Sequence, residues 1–187
     1  MSTRALFVFL LSAAGVACTQ SPVPQADAEP QAAAAGCLPD QQGRFEAQLR
    51  GDVEADIMWT NAQMSCDGDV RPDGDGLRIT VAGPMPDGQQ LRFILGIDLN
   101  DTASGPAQVL PTNLTVLMEG GSQLYATRGN DKCAVEDLHR VTVAEGVERV
   151  SGRGYCLGPA TDLGGESRLL VPTFTFTALS RTATAAH

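Results

Sequence analysis

Nucleophilic catalysis by a Ser-His-Asp or Cys-His centre needs an imidazole within reach of the nucleophile. This chain has two histidines, His139 and His187. His187 ends a polar tail, and His139 sits between Asp137 and the cation Arg140, a setting that reads as surface. No G-x-S-x-G elbow, HExxH helix, phosphate loop or GxGxxG turn accompanies them. The acidic residues Asp67, Asp69, Asp73 and Asp75 of CDGDVRPDGDG are hard oxygen donors of the kind calcium takes. Spacing argues against an EF-hand: counted from Asp69, position 3 is Arg71 and position 12 is Thr80, where a carboxylate and a bidentate Glu belong. The Asp-Gly pairs are equally the residues of tight turns. No metal site and no cofactor is assigned, and these four aspartates are the candidates a loop cation would use. A glycosidase needs two carboxylates, but among 22 acidic residues the presence of a pair carries no information.

The five cysteines, Cys18, Cys37, Cys66, Cys133 and Cys156, lack any CxxC spacing, which favours disulfides over a zinc site. Their odd number leaves one sulfur to be explained. Arg4 followed by the apolar run from Ala5 to Ala14 is too short to cross a bilayer core of about 30 Å, and reads as a cleaved signal peptide over residues 1–17. Gly15-Val16-Ala17-Cys18 then resembles the lipobox of bacterial lipoproteins, with Gly15 standing where that class usually has Leu. The resemblance implies cleavage before Cys18, lipid attachment to its thiol, and membership of the cell envelope. Thr19 rather than Asp after the cysteine implies sorting to the outer membrane, the folded part facing periplasm or outside. If Cys18 carries lipid, four cysteines remain for two disulfides in an oxidising compartment. Four cysteines allow three connectivities; the shortest loops come from Cys37–Cys66 with Cys133–Cys156.

These groups must be placed by a domain, and the chain divides plainly. Residues 18–36, rich in Pro, Ala and Gln, read as a flexible linker. About 145 residues, 37–181, are enough for one core, and 182–187 read as a disordered tail. Loss of Arg4 with the signal takes the net charge from −9 to −10, which argues against nucleic acid as a partner.

Within 37–181 the apolar residues alternate. Phe45, Ala47 and Leu49 share one face; so do Val53, Ala55, Ile57 and Trp59, with Asp52, Glu54 and Asp56 opposite. Residues 77–83 and 89–98 read as a hairpin closed by Pro86-Asp87-Gly88, with Gly96 marking a bulge. Gly120-Gly121 suggests a two-residue turn in a second hairpin. Residues 130–140 suggest one short helical turn, and Pro172 a strand start or edge. The expectation is an all-β fold, an antiparallel β-sandwich of about nine strands, with a small closed β-barrel as the alternative. Solvent-facing aromatics for a carbohydrate face would come from Trp59, Tyr125 or Tyr155, although Trp59 shares its parity with the core set.

The functional expectation is therefore a lipid-anchored envelope protein. Its β-domain is expected to serve as a non-catalytic binding or structural module towards another envelope protein or a polysaccharide. A hydrolase using loop carboxylates or a metal, and an inhibitor-like or ligand-carrying β-barrel, are the alternatives.

Overall fold

In a computed structural model the described residues are 36–100, 109–121 and 123–181. Signal peptide, Cys18, linker to residue 35 and tail 182–187 lie outside them. Twelve strands form one antiparallel sheet: β1 Arg44–Gly51, β2 Ala55–Thr60, β3 Ser65–Val70, β4 Gly76–Pro84, β5 Gln90–Asp98, β6 Val109–Glu119, β7 Leu124–Ala126, β8 Cys133–Ala144, β9 Val147–Cys156, β10 Ala160–Thr161, β11 Arg168–Leu170 and β12 Phe174–Arg181. A 3₁₀ turn, Asn61–Gln63, separates β2 from β3. The pairing runs β3-β4-β5-β6-β7-β10-β11-β1-β12-β9-β8, with β2 on β1. A further pairing of β6 with β8 closes β6, β7, β10, β11, β1, β12, β9 and β8 into a ring.

The fold is all-β and antiparallel, as the period-two alternation requires, but with more and shorter strands than nine. The excess comes from interruptions. Val171-Pro172-Thr173 splits one path along β1 into β11 and β12, because proline cannot donate to the ladder. The acidic row Asp52-Glu54-Asp56 is not one strand face: Asp52–Glu54 form the turn between β1 and β2, and the carboxylate of Asp52 accepts the Arg168 N–H at 2.6 Å.

Inward residues of opposed strands fill the interior. Phe45 of β1 lies 4.6 Å from Phe93 of β5 and 5.4 Å from Trp59 of β2, centroid to centroid, and all three rings are buried. Trp59 is a core residue whose indole N–H donates to the Pro84 carbonyl at 2.7 Å. Gly83 makes room for it, since a Cβ there would stand 2.7 Å from the indole ring. Around this cluster the lead-in segment is fixed by one buried amide. Asn61 Oδ1 accepts the N–H groups of Leu38 at 2.8 Å and Gly43 at 3.0 Å. A disulfide from Cys37 to Cys66 pins the same segment to β3.

Three local expectations are corrected. Residues 133–144 are strand, not helical turn: Cys133 and Val135 point inward opposite Cys156 and Gly154, and the local kink is a bulge between Glu136 and His139 with Asp137 at φ 52°. Gly96 is no bulge, for the register runs through it unbroken to both neighbours. Its role is close approach, since a Cβ there would meet Asn113 Oδ1 at 2.4 Å. The Gly120-Gly121 connection is wider than two residues, because Met118 N–H donates to the Gln123 carbonyl.

Candidate binding cleft

The site grows out of a detour in the sheet. One edge of β6 pairs first with β8, through Val109–Thr112, and then with β7, through Thr115–Leu117. β7 and β8 are thus one antiparallel path along β6, and between them Arg128–Lys132 leaves the sheet and returns. Thr127 holds the departure point, its N–H on the Leu114 carbonyl at 2.9 Å and its hydroxyl accepting the Leu114 N–H at 2.9 Å. Gly129, at φ 85°, takes the left-handed conformation that lets the chain reverse.

The excursion is tied down at its middle and at its foot. Asn130 Oδ1 accepts from Asn113 Nδ2 at 3.0 Å, and Asn130 Nδ2 donates to Asp98 Oδ2 at 3.4 Å. Asn113 reaches this position by lying across the bare backbone of Gly96. At the foot, Cys133 and Cys156 are directly opposed on β8 and β9, their Cα atoms 4.0 Å apart and their sulfurs joined. Leu157 N–H donates to the Lys132 carbonyl at 2.7 Å just beyond that disulfide.

Between this wall and the outer face of the sheet lies an open cleft of about 670 Å³. Pro111, Ala134 and Tyr155 occupy one register row across β6, β8 and β9 and form its floor. Val109 and Leu157 extend the apolar surface, Leu157 being 83% exposed. Asp98, Gly129, Asn130, Asp131 and Lys132 make the polar side. Asp131 and Lys132 form no ion pair with another described residue. A volume of several hundred Å³ lined mostly by apolar groups, with a few polar ones, is the usual make-up of a ligand site.

The residues singled out from sequence fall elsewhere, with two exceptions. Cys133–Cys156 clamps the foot of the cleft wall, and Tyr155 is half-buried on its floor; Tyr125 is buried. Asp67 and Asp69 lie on β3, so the turn-rich loop read from Cys66 is strand as far as Val70 and turns only over 71–75. Asp67 pairs with Arg181 at 3.3 Å and Asp73 with Arg71 at 2.6 Å. Among the described residues no group of three or more His, Cys, Asp or Glu side chains is placed to hold a metal. His139 is exposed on β8, and its neighbour Asp137 is engaged by Arg153 at 2.8 Å. The wall residues Asn130, Asp131 and Lys132 escape a reading of periodicity because they belong to no periodic segment. Their signal is the turn-forming run Gly129-Asn130-Asp131 beside the chain's one lysine.

One buried group titrates abnormally. The Tyr125 hydroxyl is buried without a hydrogen-bond partner, and burial, followed by the charges of Asp52 and Asp162, pushes its pKa above the ordinary 10.0.

Comparison with known protein families, with curated proteins and with solved structures finds no match to this chain.

Proposed function

We propose that this protein is exported, anchored at the outer membrane by lipid on Cys18, and binds another envelope component through the cleft beneath residues 128–132, without catalysis. The observation that carries the binding half is the built wall: an excursion held by Asn113, Asp98 and a disulfide, standing over an apolar floor with unspent polar groups at its rim. The lipobox-like Gly15-Val16-Ala17-Cys18 supports the anchor. Two or more acyl chains there hold a protein stably on a bilayer, at about 0.8 kcal/mol per buried methylene.

Both halves are testable on the full exported chain. Intact-mass measurement of membrane-extracted protein is expected to show cleavage before Cys18 and added acyl mass; a mature chain without acyl groups refutes the anchor. Protein kept in detergent micelles is expected to co-sediment with lipid-extracted cell envelopes, where the anchor has no bilayer to enter, and Tyr155→Ala with Lys132→Ala to release it. Equal sedimentation of wild type and double variant refutes the cleft as the binding surface.

A further inference from the structure

We propose that the ligand of this cleft is a neutral saccharide chain, its sugar faces laid on Tyr155 and its hydroxyls met by Asp98, Asp131 and Lys132. The inference rests on the binding role proposed above for the same site. Three observations choose the ligand class.

The floor is graded in size. Pro111, Ala134 and Tyr155 follow one another across three strands, two small side chains leading to one aromatic ring. Asp98, one residue past the last β5–β6 pair Ile97↔Thr112, stands at the end of that row and lines the same cleft. That row spans three strand spacings, about 14 Å, which is long for a single ion and suits an extended chain. Aromatic faces bind the C–H face of a ring that is apolar on one side and polar at its rim.

The polar side offers both kinds of partner. Asp98 and Asp131 accept hydrogen bonds, and the Lys132 ammonium donates three. An entirely apolar ligand would strip water from these groups and return no hydrogen bond, an unfavourable exchange. A hydroxyl, being donor and acceptor at once, satisfies either.

The charges largely cancel. Among the described lining residues, two carboxylates against one ammonium leave one unit of negative charge, and the whole chain carries −9. Anionic ligands are repelled. A neutral polyhydroxy compound meets no net opposition.

Lys132 also supplies the assay. It is the only lysine, so peptide-resolved amine acetylation of the full anchored protein in detergent reports the cleft directly. Chitohexaose and cellohexaose are the neutral probes, and an oligogalacturonate is the anionic one. At least one neutral probe is expected to slow Lys132 acetylation saturably, and the oligogalacturonate to leave it unchanged. Tyr155→Ala is expected to weaken the protection about tenfold, Tyr155→Phe to keep most of it, and Asp131→Asn to weaken it with an unchanged melting temperature. If no neutral probe protects Lys132 while purified envelopes do, the saccharide assignment is overturned and the binding role survives. If neither protects it, both fall.

Discussion

The two disulfides sit in regions built for different purposes. Cys37–Cys66 joins the lead-in to β3 beside the Phe45, Trp59 and Phe93 cluster, where rings meet at 4.6–5.8 Å and Asn61 accepts the N–H groups of Leu38 and Gly43. Cys133–Cys156 joins two neighbouring strands that are already paired, at the foot of a loop whose outer residues face solvent. The first region is closed by burial, so its polar groups are spent inside. The second is propped open by hydrogen bonds, and Asp131 and Lys132 form no ion pair among the described residues. The core around Trp59 and Asn61 spends its polar groups on nearby backbone, whereas the site holds a few of its own toward solvent.

The comparison can be broken most strongly at the core. Phe45→Ala is expected to destabilise by about 3–5 kcal/mol in denaturant melts, the range for emptying a buried aromatic position. Acetylation of Lys132 in the folded variant should stay at the wild-type rate. If it rises, the two regions are not separable.

Removing Cys133 and Cys156 together as alanines should lower stability by about 3–4 kcal/mol in the chain-entropy account of a closed loop of this size. Here the Lys132 acetylation rate should change, because the foot of the wall is released. The Cys37→Ala, Cys66→Ala pair should cost a similar amount and leave Lys132 unaltered, which sharpens the contrast.

Asn113→Ala acts on the wall alone. Loss of its hydrogen bond to Asn130 is expected to cost about 1 kcal/mol, to alter Lys132 acetylation, and to weaken any cleft ligand. An unaltered cleft would mean that the disulfide by itself suffices to hold the excursion.

The smallest effect concerns Tyr125. Its folded pKa lies above its unfolded value, so its contribution to stability is complete below about pH 10 and is lost as pH rises through the folded value. Tyr125→Phe removes a hydroxyl that has no partner. Melting near pH 7 should change little, and the alkaline decline of wild-type stability should flatten. A variant that declines as steeply would show that another group governs the alkaline limb.

Much of the architecture is legible in the residues. Phe45, Ala47 and Leu49, or Ile57 and Trp59, alternate because one side of a strand is wet and the other dry, and all five are buried. Pro172 interrupts a strand path for the reason its missing N–H gives. What misled the reading was local. Residues 130–140 read as a short helical turn, yet 133–144 are strand with a bulge between Glu136 and His139, because partners 109–112 and 151–156 impose a ladder on both flanks. Gly96 looks like a break in a strand, yet it is unbroken ladder whose bare face receives Asn113. The acidic run after Cys66 looks like a loop, and pairing with β4 makes half of it strand.

The sequence by itself determined the all-β class and much of the inward set, because alternation acts over neighbouring residues. Tertiary structure alone decided that β7 and β8 share one edge of β6, and so that residues 128–132 stand out as a wall. It alone put Asp98, Asn130, Lys132 and Tyr155 around one space. Those residues are separated by up to 57 positions, and no local rule relates them. Their meeting depends on which strands pair, and that choice belongs to the whole sheet.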